Sequence, residues 1–198
     1  MVQQLHRLIY ALAYGVAIIG GIVLSALILM ICASIMGRTG ATLLHSDLIG
    51  GAFPDTAARL LGLGIGAVKG DYELLESGMA FAVFAFLGLC QITSGHATVD
   101  VLTDRLPDRA RRLLQMGIEI AFAAALVLIA VQLHDGLQTQ MRRGSVTFLL
   151  QYPVWWSYAA AFVPAVFAAA VAVWMALVRT AEGLLGRPLI DPATGAHL

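Results

Sequence analysis

The sequence predicts an all-α integral membrane protein with four transmembrane helices and short amphipathic helices in the first and second loops. Three observations predict it. Of 198 residues, 60% are hydrophobic and only 12% charged, whereas an average soluble domain carries about 25% charged residues. Four apolar runs reach the roughly 20 residues needed to cross a hydrocarbon core about 30 Å thick. The arginines and lysines are shared unequally between the two sides that those crossings define. Lys plus Arg equals Asp plus Glu, twelve of each, so no overall field points to nucleic acid or to an acidic partner. The whole chain, 1–198, reads as one membrane domain.

The first run extends from about Leu8 to Met36. It is far longer than the roughly 7–15 residues of a secretory signal core, so it is expected to remain as an anchor. Being longer than the bilayer is thick, it must tilt or project. A loop over 37–71 follows, placed on the periplasmic side. Phe53-Pro54-Asp55 opens a short amphipathic stretch there, with Leu60, Leu61, Leu63, Ile65 and Val68 as its apolar residues. Proline suits a first helical turn, while Gly62, Gly64 and Gly66 weaken the helix.

The second span covers about 74–92 and the third about 113–133. The third is bounded sharply by Arg111-Arg112 and by His134-Asp135, groups that resist lipid. The fourth, about 154–178, opens with Tyr152, Trp155, Trp156 and Tyr158 and closes near Trp174 and Arg179. Such aromatic residues form belts at membrane interfaces and anchor a helix at its depth. Pro164 is expected to kink this helix.

Orientation follows from the basic residues. Arg7, Arg105, Arg109, Arg111, Arg112, Arg179 and Arg187 fall on one side, and Arg38, Arg59, Lys69, Arg142 and Arg143 on the other. Seven against five favours both termini in the cytoplasm.

Glu119 falls two turns inside the third span, where an ionised carboxylate is costly unless paired or hydrated. It is expected to bond a neighbouring helix with help from Gln115, or else to be a proton or cation site. On the other side of that helix Gly117, Ala121 and Ala125 recur every four residues, a stripe that admits another backbone closely. Ala161, Ala165 and Ala169 repeat the pattern on the fourth span, and Gly78 with Ala82 on the second. Glu73 and Glu76 share a face at the start of the second span, where helix polarity favours negative charge. Contact with a partner protein is therefore expected at Glu76, Gly78, Ala82, Gly117, Glu119, Ala121, Ala125, Ala161 and Ala165.

Cys32 and Cys90 lie in apolar runs and read as packing residues. The five histidines fall in flanks or loops, whereas haem between helices needs axial ligands within the spans. The sequence holds no Ser-His-Asp set, phosphate loop or zinc-spaced His-Glu motif. No catalytic, metal or cofactor site is expected in this chain.

The second loop runs Gly95-His96-Ala97-Thr98-Val99-Asp100-Val101-Leu102-Thr103-Asp104-Arg105-Leu106-Pro107. Val99, Leu102 and Leu106 share a helical face, so a short amphipathic helix ending at Pro107 is expected. Asp108 can then cap the third span.

Glu76, Gly88, Gly95-His96, Val99-Asp100, Leu106-Pro107 and Arg111-Arg112, taken in this order and spacing, resemble the small membrane subunit (DctQ-type) of the tripartite ATP-independent periplasmic (TRAP) transporter family. Ser145-Val146-Thr147, Tyr152-Pro153, Trp155 and Trp156 are similar to that family's last loop and helix. The resemblance covers about Tyr72–Leu177, and the long first loop departs from it. It implies a bacterial inner-membrane subunit bound to a large multispanning subunit, with a periplasmic substrate-binding protein delivering organic acids of the C4-dicarboxylate or sugar-acid class. Substrate and sodium would bind the large subunit, and this chain would be its scaffold. Two other readings of four spans are a homo-oligomeric channel or transporter with Glu119 lining a pore, and a haem-binding anchor.

Overall fold

Apolar residues select the membrane, but other residues end the helices. The computed structural model describes residues 2–45, 66–93 and 108–185. They form α1 (Val2–Leu44), α2 (Asp71–Ile92), α3 (Asp108–Arg143) and α4 (Trp155–Leu185). All four are long and apolar enough to cross a bilayer. The amphipathic helices expected near 53–68 and 99–106 fall largely or wholly outside the described residues.

Two helices outrun the apolar runs that predict them. α1 has 43 residues, about 64 Å at 1.5 Å per residue, and continues through Gly37 and Gly40. Its extension is tied down from outside, because Ser34 Oγ donates to Asp71 Oδ2 at 2.5 Å and Arg38 lies 3.6 Å from the same oxygen. α3 passes His134-Asp135 and stops at Gly144, whose φ of 61° ends the helix as glycine commonly does at this position. Residues 134–143 are mostly polar, but water accommodates a helix as readily as a loop. Hydropathy marked where the solvent changes, not where the backbone turns.

The helices pack in the order α1–α2–α4–α3, with extensive contact between successive members of that row. α4 lies deepest: 56% of its apolar window is buried within the chain, against 17% for α1 and for α3. Lipid offers no hydrophobic drive for helix association, so close approach through small residues must supply dispersion contacts instead. A Cβ on Gly20 of α1 would sit 2.8 Å from Ala85 Cβ, and one on Gly78 would sit 2.7 Å from Leu27 of α1. Between α3 and α4, Ala123, Leu126 and Ala130 meet Ala169, Ala172 and Ala176. Ala13 of α1, Ile92 of α2 and Val171 and Met175 of α4 form a second cluster. Pro164 lies within α4 and is buried.

These contacts fix direction. Ala13 near the start of α1 meets Ile92 at the end of α2 and Met175 late in α4, while Ser34 late in α1 meets Asp71 at the start of α2. The start of α1 and the end of α4 therefore share one end of the bundle. The segment joining α3 to α4 lies at the opposite, hairpin end.

Candidate partner-binding surface

Polar groups in the membrane interior are the first place to look for chemistry, because an unpaired one is costly there. α3 turns Glu119 into the bundle, where it is 8% exposed, and Gln91 of α2 donates Nε2–H to its Oε2 at 2.5 Å. Gln91 is itself fully buried. Gln115, expected to assist Glu119, is exposed on α3, so the supporting amide comes from α2. Gln115 lies one turn earlier on nearly the same face but stays exposed at the rim, whereas the α2 side chain reaches Glu119 directly. This pairing satisfies the carboxyl group inside the chain and binds α2 to α3.

The opposite side of α3 is open. Gly117, Ala121 and Ala125 are exposed, and a Cβ added to Gly117 would meet nothing within 4 Å among the described residues. Around them stand Leu113, Leu114, Ile118 and Leu128, each more than 40% exposed. The other positions expected at a partner interface have a different fate. Ala82, Ala161 and Ala165 are 2%, 3% and 1% exposed, and Gly78 packs on Leu27. The protein they face is this chain itself, because α2 and α4 use their small residues on neighbouring helices. Glu76 is exposed at the hairpin end.

The loop motif Gly95, His96, Val99 and Asp100 lies outside the described residues, and Arg111 and Arg112 lie near the start of α3. Gly88 is buried, with the Phe167 ring close enough to be pressed by any added Cβ.

At the hairpin end Glu73 and three hydroxyl side chains gather beneath the α3–α4 turn. Residues 144–154 form a tight turn closed by Thr147 N–H to Tyr152 O at 2.9 Å and Val154 N–H to Ser145 O at 2.9 Å. Glu73 accepts the Leu149 and Leu150 N–H groups, at 2.6 and 3.0 Å. Leu150 packs against Gly70, whose φ of 77° and missing Cβ make the room. Below, the Tyr152 hydroxyl, Ser77 and Ser157 form a hydroxyl network, with Ser77 Oγ 2.8 Å from Tyr152 Oη and 2.6 Å from Ser157 Oγ. Trp155 lies edge-on to Trp156, which is 55% exposed. A half-open cleft of about 330 Å³ is lined by Glu73, Glu76, Ser77, Tyr152, Ser157 and Tyr158, among others.

Sequence reasoning missed the Ser34–Asp71–Arg38 tie and the role of Glu73 in holding the hairpin. Ser34 carried a signal as a polar residue near the end of an apolar run, and Asp71 as an acid following Gly70. Neither hinted at the other across 37 positions. The arrangement binds and braces, with each buried carboxylate engaged in a structural bond.

The family model described as "Tripartite ATP-independent periplasmic transporters, DctQ component" matches residues 27–183. No curated protein and no solved structure matches the chain.

Proposed function

We propose a scaffolding role for this chain, which belongs to the DctQ family, the small permease subunit of TRAP transporters. It grips a large multispanning subunit and widens the membrane-fixed body against which that subunit's transport domain moves. The observation that carries this reading is the division of α3. Its one deeply placed carboxyl group is turned inward onto Gln91, while Gly117, Ala121 and Ala125 face outward with space before them. A helix that satisfies its polar group internally and exposes small residues is suited to holding another helix.

In this reading the large subunit holds the substrate and sodium, a periplasmic binding protein delivers organic acids of the C4-dicarboxylate or sugar-acid class, and this chain needs no cofactor. Its site is the bacterial inner membrane, with both termini in the cytoplasm, as the arginine distribution favours. The family is one of transporters rather than enzymes, which fits a chain that binds and does not turn over.

Reconstitution tests this. Proteoliposomes containing both membrane subunits should take up organic acid only with a sodium gradient and the binding protein. Uptake undiminished when this chain is omitted would refute the scaffold role, and ion conductance by this chain alone would favour a channel.

A further inference from the structure

The hairpin between α3 and α4 is apolar where it is most exposed. Phe148, Leu149 and Leu150 are 88%, 56% and 38% exposed, and no residue from Gly144 through Trp156 carries a formal charge. A loop meant for water does not ordinarily present three consecutive large apolar side chains. Several of its backbone donors are also satisfied from within the chain. Thr147 and Val154 donate across the turn, Leu149 and Leu150 donate to Glu73, and the Gln151 side chain donates to Phe148 O at 2.9 Å. Irregular backbone can leave water only when its polar groups are paired in this way.

Depth can be read from α1. Leu150 rests on Gly70, next to Asp71, which bonds Ser34. At that level α1 still shows lipid-compatible side chains, Ile35 at 57% and Met36 at 74% exposure. The base of the tip thus stands where α1 passes from exposed Ile35 and Met36 to Arg38, at the boundary between apolar and polar surface. Arg142 and Arg143, exposed at the root of the hairpin, take no part in the ion pairs found among the described residues. Exposed Trp156 lies at its other root, in the manner of interfacial anchors.

We infer that residues 146–151 form a wedge that inserts Phe148 and Leu149 into the leaflet at the hairpin end, with Arg142 and Arg143 on phospholipid phosphates. Glu73 is the positioning residue, presenting the tip by holding two consecutive N–H groups. The wedge would fix the depth and rotation of α3 and α4, so that the open face of α3 is aimed in the membrane plane.

The test uses the full chain in lipid nanodiscs, alone and bound to its large subunit. Cys32→Ser and Cys90→Ser remove the native thiols, and Phe148→Cys carries an environment-sensitive fluorophore at a side chain that packs on little. Brominated phosphatidylcholine should quench the label roughly threefold more than aqueous iodide does, in both preparations, as for groups buried about 5–10 Å at the headgroup boundary. With anionic phosphatidylglycerol present, Arg142→Glu with Arg143→Glu should return the label to iodide. A label open to iodide and untouched by brominated lipid overturns the wedge. So does quenching by lipid that disappears when the large subunit binds, since the tip would then be a protein contact. Quenching unaltered by the double charge reversal overturns the phosphate contact.

Discussion

Alanine has opposite roles in the two helices that lie side by side, α3 and α4. In α4, Ala161, Ala165, Ala168, Ala169, Ala172 and Ala176 are all at or below 9% exposure, spent on contacts within the chain. In α3, Ala123 and Ala130 join that packing, but Gly117, Ala121, Ala124 and Ala125 face outward. Spacing of small residues therefore shows that a backbone can come close and leaves open whose backbone it is. The distinction becomes visible only when the helix order is known, because α4 lies between α2 and α3 while α3 ends the row.

The sharpest way to break this contrast is to enlarge a residue on each side of it. Ala165→Leu forces three extra carbons into a contact that is 1% exposed, and overpacking of this kind costs about 1–3 kcal/mol, occasionally more. The purified subunit should lose much of its thermal stability in detergent, and assembly with the large subunit should fall with it. An unchanged melting temperature would mean that α4 is not the centre of the bundle.

Next in size is the buried pair. Gln91→Leu removes the amide that donates to Glu119, and losing one partner of a buried hydrogen bond costs on the order of 1–3 kcal/mol. Gln91→Leu with Glu119→Leu should recover part of that stability, since the bond between the two is then removed from both sides. A double variant as unstable as the single one would show that Glu119 has a role that the pair does not explain.

How much of this was readable beforehand depends on range. The four crossings, the aromatic start of α4 and the need for Glu119 to turn inward follow from local composition and a 3.6-residue period, which a sequence displays directly. The family match over 27–183 agrees with motifs that are short but ordered. What escaped is nonlocal. Gln115 is one turn from Glu119 and so seemed its natural helper, yet Gln91, 28 positions away, holds the bond. Ala161 and Ala165 looked like a docking stripe because their spacing is that of one, but α4 occupies the middle of the row. α1 continues eight residues past the apolar run that stops at Met36, and the tie from Arg38 to Asp71 lies in a contact no local pattern encodes.

That tie should matter less than its position suggests. Arg38 is 55% exposed along its side chain and 3.6 Å from Asp71 Oδ2, and exposed ion pairs contribute about 0–1 kcal/mol. Arg38→Gln should lower the melting temperature slightly, with the difference fading at high salt. Asp71→Ala should do more, because Ser34 Oγ and the Tyr72 N–H also bond that carboxylate. Equal effects from the two would mean that the charge, not the hydrogen bonds, secures the upper part of α1.

The smallest effect on the isolated subunit is the most informative. Gly117→Leu with Ala121→Leu adds bulk to open space, so stability should move by no more than about 0.5 kcal/mol, or rise where leucine replaces a helical glycine. Co-purification with the large subunit should nevertheless drop by roughly tenfold or more, equivalent to about 1.4 kcal/mol of binding. Ala165→Leu cannot separate folding from assembly, because it damages the first on the way to the second. The α3 pair can, since among the described residues a Cβ at Gly117 meets nothing within 4 Å. A stable subunit that no longer assembles would locate the grip on this face, whereas full assembly would move it to the exposed face of α1, which is just as apolar but has larger side chains.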